Sequence, residues 1–491
     1  MINWQDEVSK RKESLFEDLY GLLRIPSVKN GQTSEPGAPM GKEIGRALDY
    51  MLDLAERDGF RTANLEGYVG YAQLGDSESD DYVAVLGHLD VVAATGDWTS
   101  PPYEPTMREG KLFARGAIDD KGPTLAAYYG MKMIKELGLS LQHNVRFIFG
   151  TDEESGSRCM ARYRETEKLP LAGFTPDADF PIVHAEKGQI NTRIMLGKRT
   201  SDPSVAVRNV AGQGTAAPWR LLSFFGGGTA NMVPKSARAV LTAVETERLS
   251  EMAAAYSLYC ESRGSKGAAR IEAEQLVLSM EGKAAHGMEP ELGINAALEL
   301  VHFLVAHSFQ EEAERFLRCV DQYLFEDYAG EALGIASADE ITGALTINSG
   351  ILQYEPDGES FFHINLRYPV TDEASRILEG IAERVGKYGF VIEPPLLKKG
   401  HHVAKDHPMI GILQRVYQEM TGLAPVLLST GGGTYAYHIG NGVAFGPLFP
   451  GKTSLAHQAD EYIEVEDLLL SAAMYARAIY ELANADFHEE E

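Results

Sequence analysis

Short acidic motifs and two histidines in this sequence could together bind metal ions. The motifs are GHLDVV, GAIDDKGP, TDEESGS, FTPDADFP and AHQADE. Carboxylate and imidazole side chains are ligands for zinc, manganese or cobalt. Several carboxylates gathered in one place repel each other unless a cation neutralises them, so their recurrence predicts a metal site. The candidate residues are His88, Asp90, Asp119, Asp120, Glu153, Glu154, Asp177 and His457.

Each motif alone also has a purely structural explanation. A single histidine such as His88 is more often an ordinary polar residue than a ligand. Asp119 and Asp120 could stabilise a helix N-terminus through the helix dipole, and Asp177 stands in a proline-bounded turn, where Asp is common. His88 and Asp90, however, are two residues apart, so on an extended strand the carboxylate can accept the second ring N–H of a metal-bound imidazole. The motifs favour metal binding as a set.

The segments around these motifs predict a sheet that gathers them. DYVAVLGHLDVV and NVRFIFGTDEES each indicate an apolar strand that ends in polar residues, and residues 121–138 between them are typical of a helix. A strand, a helix and a strand in this order predict a parallel, doubly wound sheet. Such sheets bind ligands beyond the carboxyl ends of their strands, which is where the acidic motifs fall.

The middle of the chain has a different character. Residues 188–398 contain strand-like runs at 239–244, 276–280 and 361–366, with helices such as 291–308 between them. This pattern is typical of an α+β domain. The α/β pattern returns afterwards, so we predict a catalytic domain made of residues 1–187 and 399–491, with residues 188–398 inserted as a separate domain.

Composition excludes several classes of partner. The formal net charge is −26, from 71 Asp and Glu against 45 Lys and Arg, which disfavours nucleic acid and anionic membrane surfaces. The three cysteines, Cys159, Cys260 and Cys319, are odd in number and widely spaced, which argues against a disulfide framework or a thiolate metal site. No signal peptide or membrane-spanning stretch is recognisable, so we expect a soluble, cytoplasmic protein.

One stretch near the end of the sequence could also bind a nucleotide. Residues 446–453, from Gly446 to Thr453, match the spacing of a phosphate-binding loop. Two prolines inside this stretch lack N–H donors, and the sequence after Thr453 lacks the apolar spacing of a helix. We therefore assign the region to a metal site through His457 and keep nucleotide binding as a remote alternative.

Taken in order, GHLDVV, GAIDDKGP, TDEESGS, TPDADFP and AHQADE resemble the motifs of the dinuclear zinc aminopeptidases, carboxypeptidases and aminoacylases, which share one catalytic fold. The nearest resemblance is to bacterial dipeptidases of the peptidase V type, and it covers nearly the whole chain. It implies an α/β catalytic domain with a doubly wound mixed sheet, like that of the zinc peptidases. It also implies that the inserted α+β domain is a large lid.

The resemblance implies that five of the candidate residues bind two metal ions. Asp119 would bridge the ions. His88 and Asp177 would complete one site, and Glu154 and His457 would complete the other. Ligands of this kind, without thiolate, suit zinc first and also manganese or cobalt.

By the same resemblance, two further acids act beside the ligands. Asp90 would orient His88. Glu153 would be the general base that takes a proton from a water molecule shared by the two ions.

The resemblance also assigns substrate-binding residues. In the lid, His286 would stabilise the developing oxyanion, and Asn231 and Arg367 would hold the substrate, with Arg367 gripping its terminal carboxylate. Apart from the resemblance, the successive amides of Gly432 and Gly433 in STGGGTYA could form an anion nest for the same carboxylate, or the glycines could simply form a flexible turn.

The resemblance implies a metal-dependent enzyme that hydrolyses dipeptides, or short peptides with a free amino terminus. A large lid that closes over a short substrate would leave no room for a longer chain. The alternatives within the same family are an N-acyl amino acid deacylase and a carboxypeptidase. The resemblance further implies that the enlarged lid replaces the contribution of a partner subunit, so we expect a monomer.

Overall fold

The computed structural model describes residues 2–75, 79–197 and 217–487. The chain divides into two folding units. The first unit comprises Met1–Ala185 and His402–Glu491, and the second unit comprises Glu186–His401. The domain boundaries expected from the sequence, after residues 187 and 398, stay a prediction.

The helices of both units bury one apolar face. α1, for example, begins after Asn3, whose side chain accepts the N–H of Asp6, and it buries Leu15, Leu19 and Leu22. No helix in the described ranges has the length and apolar composition that a bilayer span requires. The α-helices are α1 (Trp4–Leu23), α2 (Lys42–Arg57), α3 (Lys121–Glu136), α4 (Arg158–Thr166), α5 (Arg248–Arg263), α6 (Ala296–Val305), α7 (Glu311–Leu324), α8 (Ala374–Gly386), α9 (Pro408–Thr421) and α10 (Val465–Ala483).

Within the described ranges, the strands form two large sheets and three small ones. They are β1 (Arg61–Leu65), β2 (Val69–Leu74), β3 (Tyr82–His88), β4 (Thr106–Arg108), β5 (Lys111–Phe113), β6 (Asn144–Gly150), β7 (Ala172–Thr175), β8 (Ala178–Asp179), β9 (Ile182–Glu186), β10 (Gly188–Leu196), β11 (Trp219–Gly227), β12 (Ser236–Ala243), β13 (Lys266–Glu272), β14 (Gln275–Glu281), β15 (Ala338–Asp339), β16 (Gly343–Ala344), β17 (Thr346–Tyr354), β18 (Phe361–Tyr368), β19 (Phe390–Ile392), β20 (Leu396–Lys398), β21 (His401–His402), β22 (Leu427–Thr430), β23 (Gly442–Ala444), β24 (Pro447–Leu448) and β25 (Tyr462–Glu464).

A mixed sheet forms the centre of the first unit. Its strand order is β1-β2-β6-β3-β7-β23-β9-β21, and β22 also pairs with β9. The central strands β6, β3, β7 and β23 are parallel, whereas β2 and β9 run antiparallel to their neighbours. β3 is buried along its whole length, as expected of a parallel strand covered on both faces. The predicted α/β catalytic fold with a mixed sheet is confirmed.

The helix that leads away from the acidic GAIDDKGP motif is firmly packed. α3 contacts α1, α10 and strand β3. Gly130 of α3 lies against the backbone of Ala476 in α10, where an added Cβ would lie only 2.8 Å from the Ala476 nitrogen. Close helix packing therefore holds the middle of α3 in place, and the acidic residues precede its first turn.

An antiparallel sheet forms the centre of the second unit. Its order is β13-β14-β12-β11-β17-β18-β10-β19, and β20 also pairs with β10. Helices α5, α6, α7 and α8 contact its strands, and the buried apolar residues between them form a separate core. The predicted inserted α+β domain is confirmed as a separate antiparallel-sheet unit.

One helix of the second unit starts later than the sequence predicts. We expected a helix over residues 291–308, but α6 spans Ala296–Val305 and follows a short 3-10 helix at Pro290–Leu292. The reason is that the Asn295 side chain accepts the N–H groups of Ala297 and Leu298 and so caps the helix at that point.

Candidate metal centre

Three neighbouring strands of the first unit carry candidate ligands at their carboxyl ends. His88 is the last residue of β3, Glu154 follows β6, and Asp177 follows β7. β3 lies between β6 and β7 and is parallel to both. The three side chains therefore meet beyond the carboxyl ends of the central strands, as predicted for a doubly wound fold.

Two loops supply the remaining candidates. Asp119 immediately precedes Asp120, the residue before α3, and the peptide bond between these two residues is cis. His457 lies in the loop between β24 and β25, and its backbone has a φ of 64°, in the left-handed region. Residues held in that region often cluster at functional sites.

Asp119 lies between the two histidines. Its Oδ1 atom is 3.1 Å from Nε2 of His88, and its Oδ2 atom is 2.9 Å from Nε2 of His457. Nε2 of His457 is also 3.1 Å from Oε1 of Glu154, and Nε2 of His88 is 3.7 Å from Oδ2 of Asp177. The two oxygens of one carboxylate thus face two different groups of ligands.

The hydrogen bonds of His88 fix which ring nitrogen can act as a ligand. Nδ1 lies 2.9 Å from the backbone carbonyl oxygen of Asp90, which can only accept, so Nδ1 carries the proton. In the neutral ring, Nε2 then presents a lone pair toward the carboxylate of Asp119. Two acceptors at 3.1 Å repel each other unless they share a cation.

The donor chemistry fits metal ions. His88 with Glu153 and Asp177, and His88 with Asp119 and Glu154, each offer ligand atoms that lie within 4.8 Å of one another. The donors are carboxylates and imidazoles, which suit zinc, manganese or cobalt. Glu153, expected from the sequence to be a base, therefore also lies within reach of a metal position.

Burial raises the pKa values of several carboxylates in this cluster, whereas hydrogen bonds with the two histidines lower the pKa of Asp119. Burial raises the pKa of Glu153 to about 8 and raises that of Asp177 well above its usual range. Hydrogen bonds with Asp119 and Glu154 raise the pKa of His457 to about 10. The buried carboxylates thus favour a positive charge between them, carried by a proton or by a metal ion.

Asp90 contacts its neighbours differently from the sequence expectation. We expected its carboxylate to receive the ring N–H of His88, but that bond goes to its backbone carbonyl, and the carboxylate Oδ1 lies 3.6 Å from Nδ1. The carboxylate instead accepts the N–H groups of Glu153 and Glu154, each at 3.1 Å. Asp90 therefore holds the turn that carries both glutamates.

Two buried residues that the sequence reasoning missed support the Asp119 loop. Oε1 of Glu461 accepts the N–H groups of Ile118, at 3.0 Å, and Asp119, at 3.3 Å. The other carboxylate oxygen of Glu461 forms an ion pair with Nη1 of Arg115, and both side chains are almost completely buried. Glu461 is part of the AHQADE motif, four residues after His457, which is the signal that could have drawn attention to it.

The stretch with the spacing of a phosphate loop lacks the features of one. Lys452 forms ion pairs with Glu464 and Asp467, the latter at 2.9 Å. Residues 453–456 are in neither helix nor strand, so no helix N-terminus follows the loop. The geometry therefore favours the metal site over nucleotide binding.

The predicted lid residues all lie in the second unit. Asn231 and His286 belong to neighbouring segments, because Met232 forms a β-bridge with His286 and the N–H of Gly287 donates to the carbonyl of Asn231 at 2.7 Å. Arg367 lies in β18 and is only 5% exposed. Burial lowers the pKa of its guanidinium to about 10.

The glycine pair of the predicted anion nest lies in the first unit, after β22. The N–H of Gly432 donates to Oγ1 of Thr430 at 2.9 Å. This amide therefore already has an acceptor within its own turn. Gly433 is exposed.

Comparison with known proteins identifies the family. Residues 84–481 match the model of peptidase family M20/M25/M40. A Bacillus subtilis (strain 168) protein named "Putative dipeptidase YtjP" is 43% identical over 482 residues, which cover 98% of this chain and 100% of that protein. A Staphylococcus aureus (strain USA300) protein, also named as a "Putative dipeptidase", is 35% identical over 479 residues, covering 98% of this chain and 99% of its own length.

Solved structures share the fold at low sequence identity. Human carnosine dipeptidase 1 matches with a TM-score of 0.55 and 16% identity, over 98% of both chains. Aminoacylhistidine dipeptidase from Vibrio alginolyticus matches with a TM-score of 0.58 and 14% identity, over 95% of this chain and 96% of that one. The peptide hydrolase class predicted from the sequence is confirmed, and the chain belongs to peptidase family M20/M25/M40.

Proposed function

We propose that this chain is a dipeptidase that depends on two divalent metal ions and acts on substrates with a free amino terminus. The observation that carries the proposal is the position of Asp119, whose two carboxylate oxygens lie 3.1 Å and 2.9 Å from Nε2 of His88 and His457. A carboxylate between two groups of ligands is suited to bridging two ions. The full-length relatives named as dipeptidases support the choice of substrate.

In this proposal Asp119 would be shared by two ions, His88 and Asp177 would hold one of them, and Glu154 and His457 would hold the other. When bound, two divalent ions polarise a carbonyl and lower the pKa of a water molecule. Zinc is the first candidate, with manganese or cobalt as alternatives, because all three accept carboxylate and imidazole ligands.

Glu153 is the proposed general base. Its carboxyl group lies buried beside the ligand cluster, and burial raises its pKa, whereas bound cations would lower that pKa and favour the carboxylate form that acts as a base. Its backbone N–H is held by the Asp90 carboxylate at 3.1 Å, which fixes the turn from which its side chain extends. In this role, Glu153 takes a proton from the attacking water and passes it to the leaving nitrogen.

Arg367 is the proposed partner of the substrate carboxylate. Its side chain is nearly buried, and no carboxylate of the described residues lies within ion-pair distance of its guanidinium. A guanidinium in this state is suited to a bidentate bond with a carboxylate. We also assign substrate contacts to Asn231 and oxyanion stabilisation to His286. Gly432 and Gly433 are assigned to the anion nest, in which the Gly432 N–H would exchange its bond to Oγ1 of Thr430 for the substrate carboxylate.

The finer assignment is to the peptidase V type, with the second unit acting as a lid over the substrate and the enzyme working as a monomer. A deacylase or a carboxypeptidase of the same family would use similar metal ligands. The difference lies in the substrate. A dipeptidase of this kind requires both a free amino group and a nearby free carboxylate, whereas a deacylase accepts a blocked amino group.

A substrate panel tests the proposal. The metal-stripped chain would be supplied with zinc, manganese or cobalt and assayed on alanyl-alanine, its N-acetyl and C-amide derivatives, trialanine and N-acetylalanine. We expect hydrolysis of alanyl-alanine only after metal addition, with much slower reaction of the blocked and longer compounds. Faster hydrolysis of N-acetylalanine would favour the deacylase, and faster hydrolysis of N-acetyl-alanyl-alanine would favour the carboxypeptidase.

A further inference from the structure

Three asparagines form a row across the sheet of the second unit. Asn365 of β18 is the register partner of Asn191 in β10 on one side and of Asn348 in β17 on the other. Residues directly opposite each other on antiparallel strands share one face of the sheet. Asn365 and Asn348 are 1% and 2% exposed. Buried side-chain amides need hydrogen-bond partners. The partners of Asn365 and Asn348 are the proposed substrate residues or their neighbours in sequence.

At one end of the row, Asn348 holds the turn that carries Asn231. Its Nδ2 donates to the carbonyls of Ala230, at 3.0 Å, and Met232, at 3.1 Å, which flank Asn231 on both sides. The same Nδ2 lies close under Gly287, where an added Cβ would be 3.2 Å away. A single amide group thus fixes the Asn231 turn and lies against the residue that follows His286.

In the middle of the row, Asn365 orients Arg367. Its Oδ1 accepts Nε–H of Arg367 at 3.1 Å, while its Nδ2 donates to Oδ1 of Asn191. Nε–H of Arg367 can only donate, so the amide atom that faces it must be the oxygen, which leaves Nδ2 to donate to Asn191. Because the acceptor is neutral, it directs Arg367 without neutralising its charge. An aspartate at this position would pair with the guanidinium and compete with a substrate carboxylate.

We propose that Asn365 and Asn348 are positioning residues, which hold Arg367 and the Asn231 turn in the geometry that binds the substrate carboxylate. This inference rests on the proposed function. The asparagine row links two segments of the second unit that are far apart in sequence. The residues that hold the two proposed substrate contacts are therefore register partners on adjacent strands, β17 and β18.

The test compares binding of alanyl-alanine and alanyl-alaninamide, which differ only in the terminal carboxylate. Affinity is measured by calorimetry in the full, metal-loaded chain carrying Glu153→Gln, so that hydrolysis does not interfere. We expect Asn365→Leu to lower the affinity for alanyl-alanine about tenfold, which is the scale of one hydrogen bond to a charged group. The affinity for alanyl-alaninamide should stay nearly unchanged. If Asn365→Leu lowered the affinity for both ligands equally, or for neither, the proposed role of Asn365 would be overturned.

A second variant guards against simple misfolding. Asn365→Asp keeps the size of the side chain but places a negative charge beside Arg367, so it should also abolish the preference for the free carboxylate. Gln310→Glu is the matched control, since this half-buried amide of the second unit also donates its side-chain N–H to a carbonyl, that of Leu221 near the start of β11, whereas the Asn231 turn follows the end of that strand. The control should keep the preference; its loss there would contradict the inference.

Double variants test whether each asparagine acts through the substrate residue that it holds. Adding Asn365→Leu to Arg367→Ala should change alanyl-alanine binding no further, and Asn348→Leu should likewise have no added effect in Asn231→Ala. Additive losses would show that the asparagines act independently and would overturn the proposal. If the unmodified chain binds the free dipeptide more tightly than its amide but hydrolyses neither, the proposed function fails while the inference about carboxylate binding stands.

Discussion

The Oδ2 atom of Asp119 lies 2.9 Å from Nε2 of His457, a residue that is 338 positions further along the chain (457 − 119). The other oxygen of the same carboxylate lies 3.1 Å from Nε2 of His88. One side chain therefore joins a strand end of the central sheet to a distant loop. The proposed two-metal function depends on this junction.

Replacing Asp119 should remove both metal ions. Because each of its oxygens faces a different histidine, Asp119→Ala should reduce tightly bound metal from two equivalents to none and abolish hydrolysis. Asp179→Ala, which removes an exposed carboxylate of β8, is the control and should keep both ions. Metal content is measured by elemental analysis after dialysis. Two equivalents retained in Asp119→Ala would contradict the bridging role.

Glu153→Gln should separate chemistry from metal binding. The substitution preserves size but removes the base, so metal content should persist while turnover falls by roughly a hundredfold or more. Glu154→Gln is the matched variant, one residue further on, and should lose metal instead. Since Glu153 also lies within reach of a metal position, loss of an ion from Glu153→Gln would make it a ligand.

Glu461→Gln should destabilise the first unit as well as the metal site. It leaves Arg115 buried without its counter-charge, which typically lowers the free energy of unfolding by about 3 kcal/mol. It also weakens the acceptor for the N–H of Asp119, so metal affinity should fall roughly tenfold or more. Urea unfolding of the metal-stripped chain isolates the first effect.

The control for Glu461 is an exposed ion pair of the same region. Glu464→Gln breaks the ion pair with Lys452; the Glu464 side chain is 32% exposed and that of Lys452 is 35% exposed. The free energy of unfolding should fall by less than about 1 kcal/mol. Equal losses of stability in the two variants would show that Arg115 does not depend on Glu461.

Lys452→Ala and His457→Ala decide between the two chemistries of the GPLFPGKTSLAHQADE stretch. The lysine is the one charged residue that a phosphate loop requires, but here it pairs with Glu464 and Asp467. We expect Lys452→Ala to hydrolyse dipeptides almost normally and His457→Ala to lose metal and activity. Saturable ATP binding that disappears in Lys452→Ala would reverse this assignment.

The sequence predicts the sheet of the first unit well because its strands are unusually apolar. β3 is a continuous apolar run that ends at His88. β6 contains Asn144 and Arg146 but ends in the apolar residues 147–149 before Gly150, so the parallel pairing of the two strands and the meeting of the motifs beyond their carboxyl ends follow from the pattern. The start of α6 is less predictable, because the apolar residues Leu292 and Ile294 already precede Asn295, the residue that caps the helix.

The contacts of the site are less visible in the sequence than its ligands. Glu461 and Arg115 are 346 residues apart, and only the folded chain brings them together. The carboxylate of Asp90 binds backbone N–H groups of Glu153 and Glu154, and such partners leave no trace in the spacing of side chains. Pairing of His457 with Glu154, 303 residues away, was expected only through resemblance to a family.

The most direct test of the account is a metal titration of the stripped chain while alanyl-alanine hydrolysis is followed. The account predicts no hydrolysis without metal, and activity that rises with added zinc, manganese or cobalt and levels off when two equivalents per chain are bound. Full activity in the stripped chain, or no hydrolysis of any dipeptide at two bound equivalents, would contradict it.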